Sequence, residues 1–280
     1  MTTKIFLFIV TLFFLFQSSL TGQPEVPVEK WTGKTIMLIC AHPDDDARSH
    51  GTLAILQEHN NEIYIVILTS GNVGTQDPDI SMTDLARIRK QEELDALAEI
   101  GIPADHYINL GYNDGMLELQ DEEEVMSRIV RLIRQYKPDV VMAFDPGKGK
   151  MRWHKADHRA ACWFAVDACR AAMWPLLYEG QIIHENLKQH QVTEYLLFDS
   201  FPEDYNTEVD ITAYVDKKIN ASLKYVSQWS TGWSKYTGPK LSQEEENQLR
   251  ERFKNRVIYK DGKYYEEFRY YRGSPDGIGR

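Results

Sequence analysis

Two short stretches of the sequence supply side chains that could hold a metal ion. CAHPDDD, at residues 40–46, contains a histidine and three consecutive aspartates, and HKADH, at residues 154–158, contains two histidines and an aspartate. Adjacent carboxylates repel one another unless they are solvated or a positive charge lies among them. Two histidines and one carboxylate with open coordination positions form a catalytic site for zinc or ferrous iron. Together, the two stretches predict a metal centre.

Each stretch also has a simpler interpretation when it is taken alone. The carboxylates of Asp44, Asp45 and Asp46 could cap the start of a helix by accepting backbone N–H bonds. The two histidines of HKADH, at positions 154 and 158, could lie on a solvated helical turn. The elements around the two stretches decide whether they can meet.

Those elements alternate between short apolar runs and amphipathic segments. Five runs read as buried strands: KTIMLIC, EIYIVILTS, HYINL, DVVMAF and TEYLLF. Between the first four lie segments with apolar residues at three- and four-residue spacing, which is typical of helices. This alternation predicts an α/β, Rossmann-like fold, with a mostly parallel sheet and helices on both faces. Ligand sites in such sheets lie beyond the carboxyl ends of the strands, where both stretches fall.

The ends of the chain have a different character. Residues 1–22 contain an apolar stretch from Ile5 to Phe16 followed by small and polar residues, which predicts a secretory signal peptide and export to a periplasm or the extracellular space. We expect one main domain at residues 23–228. Residues 229–280 are predicted as a small α+β extension packed on that domain, with a hairpin turning at Asp261-Gly262.

Composition narrows the possible partners. The formal net charge is -10 at pH 7, whereas nucleic acid and anionic membranes need a basic surface. We therefore expect a small-molecule or glycan substrate, no nucleic acid, and no stable membrane insertion once the signal is removed; the oligomeric state is left open. Cys40, Cys162 and Cys169 are predicted to be buried thiols, not disulfides.

Several motifs together resemble one protein family. AHPDDD followed by GTLAIL, then RKQEELDALAEIG, LGYNDG, PDVVMAFDP and HKADHRA, are similar to the PIG-L/LmbE-type deacetylases. These are metal-dependent enzymes that remove acetyl groups from substrates containing N-acetylglucosamine. The resemblance covers roughly residues 34 to 228. It implies a hydrolase that removes the acetyl group of an N-acetylated amino sugar or glycoconjugate.

The resemblance also implies roles for individual residues. His42, Asp45 and His158 would hold the metal, usually zinc, with ferrous iron as an alternative. Asp44 would be the general base that takes a proton from the metal-bound water. The other implied roles are His154 at the oxyanion or leaving amine, Asp157 orienting a histidine, and Asp114 binding the sugar. We add Asn72 and Arg152 as expected substrate contacts.

Two positions depart from the family pattern. Asp46 replaces the usual glutamate and is expected in the first turn of a helix, where its charge favours the helix dipole. Asn72 follows Gly71 where the family usually has Gly-Glu, which could alter specificity. The alternatives are an amidase acting on a non-sugar or non-acetyl amide, a noncatalytic carbohydrate-binding module, and a ferrous oxygenase, although oxygenases normally carry such a triad on a β-barrel.

Overall fold

The computed structural model describes residues 22–229 and 234–280. The predicted signal peptide lies almost entirely outside the described residues and stays a prediction. Within the described ranges, no helix is long and apolar enough to cross a membrane.

The described strands form one mixed sheet. Its order is β3-β2-β1-β4-β5-β8-β6, with β7 paired to β8. The strands are β1 (Thr35–Cys40), β2 (Glu62–Thr69), β3 (Tyr107–Tyr112), β4 (Val140–Phe144), β5 (Glu194–Phe198), β6 (Thr207–Asp210), β7 (Ile258–Lys260) and β8 (Lys263–Arg272). The first five strands pair in parallel, and β8 runs antiparallel to both β5 and β6. All five predicted apolar runs are therefore strands.

Helices pack against both faces of this sheet. They are α1 (His50–Glu58), α2 (Met82–Glu99), α3 (Glu122–Tyr136), α4 (Ala156–Met173), α5 (Glu179–Ile183), α6 (Val215–Ser222), α7 (Val226–Trp229) and α8 (Gln243–Lys254). Local chemistry sets several ends: Ser81 caps α2 and Asp121 caps α3 through their side chains. α3 ends at Tyr136, and its C-cap residue Lys137 lies directly before Pro138.

The hydrophobic core has two parts, one on each face of the sheet, because successive side chains of a strand point to opposite faces. Leu38 of β1 packs with residues of α1, α2 and α6. Its neighbour Ile39 packs with residues of α3 and α4 on the opposite face. The three cysteines are buried and free, as predicted. The α/β architecture with a mostly parallel sheet is thus confirmed.

The last part of the chain completes the sheet. β7 and β8 form the predicted hairpin, with Asp261 and Gly262 at φ values of 50° and 79° in its turn. β8 then lies between β5 and β6, so residues 229–280 contribute a strand to the sheet of the predicted main domain. The domain boundary proposed at residue 228 stays a prediction.

Candidate metal centre and active site

The loop that leaves β1 turns sharply at Asp44. Asp44 has a φ of 104°, a left-handed conformation that is uncommon for a residue other than glycine. Its N–H donates to Glu93 Oε2 at 3.1 Å, and its Oδ1 lies 3.2 Å from Arg89 Nη2. The backbone N–H of His42 donates to Asp45 Oδ2 at 2.8 Å. This turn places His42 and Asp45 beside each other at the carboxyl end of the sheet.

The predicted metal ligands lie together there. His42, Asp45 and His158 are all buried, and one ligand atom from each lies within 4.8 Å of the others. Asp45 Oδ1 lies 2.9 Å from His158 Nε2, and Asp45 Oδ2 lies 3.3 Å from His42 Nδ1. His158 is in the first turn of α4, where its ring stacks on Phe144 at a centroid distance of 4.2 Å. Two distant stretches of sequence therefore converge on one point.

The local chemistry of this cluster fits a divalent cation. His158 Nε2 is buried and forms no hydrogen bond with any described residue, although Asp45 Oδ1 is only 2.9 Å away. Two such atoms lie close together without hydrogen-bond geometry when both of them point toward a third atom, such as a metal ion. Two imidazoles and one carboxylate are the ligands that zinc and ferrous iron accept.

A second layer of carboxylates surrounds His42. Its Nε2 lies 3.0 Å from Asp114 Oδ1 and 3.3 Å from Asp157 Oδ2. Asp157 is itself fixed by the backbone N–H groups of Gly115, at 2.7 Å, and Leu117, at 3.2 Å. A metal-binding histidine usually has its other nitrogen bonded to a carboxylate in this way. The arrangement suits the orienting role expected of Asp157 and brings Asp114 to the same centre.

Burial and charge shift the pKa values of this cluster in opposite directions. Burial disfavours the His42 imidazolium, but Asp114, Asp157 and Asp45 outweigh it and hold the pKa of His42 well above its usual value. Burial also disfavours the Asp45 carboxylate, but His158 and His42 hold its pKa well below the usual value. The environment therefore favours positive charge at its centre, which a bound cation would also provide.

Asp44 has a different environment. Burial raises the pKa of this carboxyl to about 6, against the opposing effect of Arg89. Among the described residues, two groups could hold a metal ion, and Asp44 is absent from both: His42, Asp45 and His158, and His42, Asp114 and Asp157. None of the three consecutive aspartates caps a helix through its side chain, so the capping interpretation was wrong.

The remaining predicted residues have clear partners. His154 Nε2 donates to the Asp145 carbonyl at 2.7 Å, and its Nδ1 lies 3.5 Å from Asp199 Oδ2. Among the described residues, His154 makes no hydrogen bond or ion pair with the metal cluster, although both His154 and His158 contact the Phe144 ring. Its expected role at the oxyanion stays a prediction.

The two added substrate contacts are engaged with the protein itself. Arg152 Nε donates to the Asp199 carbonyl at 3.1 Å. Asn72 donates to Asn113 Oδ1 at 2.8 Å and accepts the Asp114 N–H at 3.0 Å. Asn72 thus supports the loop that carries Asp114, and direct substrate contact by Asn72 or Arg152 stays a prediction.

Sequence reasoning missed the role of Arg89 on α2. Arg89 is buried, donates to the carbonyls of Gly71 and Pro43, and lies near the carboxylates of Asp44 and Asp114. Arg89 therefore contacts the loops that follow β1, β2 and β3. Arg89 is the first residue of the RKQEELDALAEIG motif, and this motif could have drawn attention to it. An arginine that is buried needs several partners.

A buried polar network lies behind the loop. Tyr225 Oη donates to Glu93 Oε2 at 3.0 Å and approaches Asp46 Oδ1 at 3.2 Å. His50 Nε2 donates to Asp46 Oδ2 at 2.8 Å. Asp46 does lie in the first turn of a short 3-10 helix, Asp45–Ser49, but its side chain is fully buried. Its predicted position in the first turn of a helix is therefore correct, and its side chain is in addition part of an interior network.

The fold and the cluster define a class: an α/β protein with a candidate two-histidine, one-carboxylate metal site beyond the carboxyl ends of parallel strands. Residues 37–169 match the family model described as PIG-L: GlcNAc-PI de-N-acetylase. The chain thus contains a PIG-L family domain, and the predicted resemblance is confirmed.

Individual relatives agree with this assignment. Diacetylchitobiose deacetylase of Thermococcus kodakarensis is 28% identical over 197 residues, which are 70% of this chain and 70% of that protein. A 1D-myo-inositol 2-acetamido-2-deoxy-alpha-D-glucopyranoside deacetylase of Kineococcus radiotolerans is 28% identical over 50% of this chain and 48% of its own length. The structure of N,N'-diacetylchitobiose deacetylase from Pyrococcus horikoshii shares the fold, with a TM-score of 0.70, 24% identity, and coverage of 85% of this chain and 83% of that one.

Proposed function

We propose that this protein is a metal-dependent hydrolase that removes the acetyl group from an N-acetylated amino sugar or glycoconjugate. The observation that carries the proposal is the position of Asp44. It follows a ligand histidine by two residues and precedes a ligand carboxylate, and it is itself free of the cluster. The deacetylase relatives support the same reaction.

The chain's own residues have distinct tasks in amide hydrolysis. A divalent cation, when bound, supplies Lewis-acid polarisation of the carbonyl and makes water acidic enough to attack near neutral pH. Asp44 accepts the proton of the attacking water; its pKa of about 6 leaves it ionised at neutral pH yet still basic. Arg89 holds the Asp44 carboxylate in place through their 3.2 Å ion pair.

Cleavage then needs a proton for the departing nitrogen. The water oxygen bonds to the acetyl carbon, the C–N bond breaks, and the nitrogen leaves as an amine once it is protonated. We assign this proton, or a hydrogen bond to the oxyanion, to His154. The Asp199 carboxylate, 3.5 Å from His154 Nδ1, would orient the imidazole for this role.

We also propose zinc as the metal, with ferrous iron second, because the donor set suits both ions. The sequence of residues 1–22 supports export, so we propose that the enzyme acts in a periplasm or outside the cell. Cell fractionation tests this location, and N-terminal sequencing of the protein tests the cleaved signal, since recovery only from the cytoplasm would contradict export and a retained Met1 would contradict cleavage.

The test of the reaction measures acetate released from N-acetylglucosamine and from N,N'-diacetylchitobiose. Zinc-loaded wild type should release acetate from at least one of them. Asp44→Asn should lose about 10²- to 10⁴-fold in turnover while binding as much zinc as wild type. Full activity of this variant, or no acetate from either sugar with zinc bound, would contradict the proposal.

A further inference from the structure

Helix α4 presents one face to solvent. After its first turn, the side chains of α4 that are not buried are Trp163, Asp167, Arg170 and Met173, and its C-cap residue is Trp174. Trp163 and Trp174 are exposed, at 47% and 58%. Tryptophan, methionine and arginine are enriched in the centres of protein interfaces, and exposed apolar patches often mark such interfaces. This face therefore has the composition of a contact surface.

The spacing along this face is regular. Steps of four, three and four residues separate Trp163, Asp167, Arg170 and Trp174. The same alternation of three and four places residues on the contact seam of a coiled coil. We call these four residues the α4 stripe. They can all contact one partner helix at the same time.

The order of side chains in the α4 stripe is symmetric about its centre, between residues 168 and 169. In a two-fold interface, residue i of one copy contacts residue j of the other, and j contacts i. An antiparallel partner helix centred here places each Trp163 against the partner's Trp174, and each Asp167 against the partner's Arg170. The stripe is thus complementary to a second copy of itself.

The charged side chains at the centre can extend their contacts to a partner. Arg170 Nη1 lies 2.6 Å from Asp167 Oδ1, and Arg170 Nε donates to Asp276. A guanidinium has five N–H donors, so Arg170 can keep both contacts and also donate to the partner's Asp167. The formal net charge of -10 repels a second copy, and this pairing of opposite charges would oppose the repulsion where the copies meet.

The C-terminal end of the stripe is held from inside the protein. Arg134 of α3 is fully buried, and its Nη2 donates to the carbonyls of Trp174, at 2.9 Å, and Leu177, at 2.8 Å. Leu177 is also exposed and extends the apolar surface beyond Trp174. A surface that is already ordered loses less conformational entropy when it binds. This end of the stripe is therefore preformed for a partner.

We propose that the α4 stripe is an interface between two copies of this chain, whose α4 helices pack antiparallel about a two-fold axis. The inference is independent of the proposed function. His158 is a buried residue of α4, whereas the stripe is on the exposed face of the same helix, so each copy keeps its own metal centre.

The test exchanges the charges at the centre of the stripe. Sedimentation equilibrium gives the molecular mass of purified wild type, of Asp167→Arg, of Arg170→Asp and of an equimolar mixture of the two variants. Wild type should be a dimer. Each variant should be monomeric, because like charges then face each other across the axis. The mixture should form a one-to-one dimer, since opposite charges face each other again.

A role within a single chain could not produce this recovery in the mixture. Three results would each overturn the inference: a monomeric wild type, dimers that persist in both single variants, or a mixture that stays monomeric. The proposed function would stand in all three cases, because acetate release is measured separately.

A second variant keeps the test valid if the charge-exchanged proteins do not fold. Trp174→Lys changes an outer contact of the stripe, and Tyr259→Lys is its control at an exposed aromatic residue on β7. Trp174→Lys should raise the Kd of the dimer at least about thirtyfold, as expected for an interface hot spot, and Tyr259→Lys should leave it unchanged. An unchanged Kd in a folded Trp174→Lys protein overturns the inference.

The other possible occupant of a tryptophan-rich surface is a glycan. Tryptophan fluorescence of wild type is therefore followed while N,N'-diacetylchitobiose is added, and the response is compared with that of Trp163→Lys. A monomeric wild type with a response that Trp163→Lys abolishes would assign the stripe to glycan binding and overturn the inference.

Discussion

Arg269 donates two parallel hydrogen bonds to Asp145, from Nη2 to Oδ1 at 2.6 Å and from Nε to Oδ2 at 2.7 Å. Both side chains are buried. Asp145 follows β4, and its carbonyl also accepts the bond from His154 Nε2. The last strand of the sheet therefore fixes the loop that leads to HKADH.

Arg269→Leu should lower the free energy of unfolding by about 3–5 kcal/mol, because it leaves the Asp145 carboxylate buried without its partner. Arg272→Leu is the matched control on the same strand. Arg272 is exposed and pairs with Glu25, so its loss should cost less than about 1 kcal/mol. Denaturant unfolding measures both changes, and similar values for the two variants would contradict a structural role for the Arg269 pair.

Glu93 should act as a positioning residue for Asp44. Its carboxyl accepts the Asp44 N–H, and the left-handed backbone of Asp44 costs about 1–3 kcal/mol unless its surroundings hold it. Glu93→Ala should lower kcat about tenfold, since a poorly placed base transfers protons less effectively. Zinc content and KM should stay near the wild-type values.

Glu93→Gln is the conservative variant for that experiment. Burial raises the pKa of Glu93 well above its usual value, so its neutral form is favoured and glutamine resembles it. The amide oxygen can still accept the Asp44 N–H, and kcat should recover. If glutamine were as damaging as alanine, the charge of Glu93, not its position as an acceptor, would matter.

The rate of hydrolysis should fall as the solution becomes acidic. The base acts as a carboxylate, and burial raises the pKa of Asp44 to about 6; a bound cation favours the carboxylate and lowers that value. The acid limb of kcat/KM against pH should therefore have its midpoint at or below about pH 6. Arg89→Met should move this midpoint upward, because Arg89 stabilises the ionised form. A midpoint unaffected by that change would exclude Asp44 as the titrating group.

Removal of the metal should weaken the fold as well as abolish activity. A cation that binds only the native state stabilises it in proportion to RT ln(1 + [L]/Kd). Chelated protein should thus melt at a lower temperature and recover with added zinc. His158→Ala should show no zinc-dependent shift, while His184→Ala, at an exposed position, should shift like wild type. A zinc-dependent shift of normal size in His158→Ala would remove it from the ligand set.

The sequence predicted those features that local patterns encode. The apolar runs located the five parallel strands, and Asp261-Gly262 located the hairpin. It did not predict the pairing of Asp145 with Arg269, 124 residues away, or the approach of Tyr225 to Asp46, 179 residues away. Such pairs depend on which strands and helices become neighbours in the folded chain. Neither the hydrophobic periodicity nor the residue spacing of the sequence contains that information. The proposed metal ligands could be predicted because His42 and Asp45 follow β1 and His158 lies in the segment that follows β4, and the carboxyl ends of these two parallel strands meet at one edge of the sheet.

The position of β8 bears on the order in which the chain can fold. β8 comes last in sequence among the described strands, yet it lies between β5 and β6. Until residue 272 is available, β6 has no partner, β5 pairs only with β4, and Asp145 lacks its counter-ion Arg269. Contacts between such distant segments form slowly, so we expect the sheet to stay incomplete until β8 has been synthesised. A truncation before Lys263 should leave exposed strand edges, which favour aggregation.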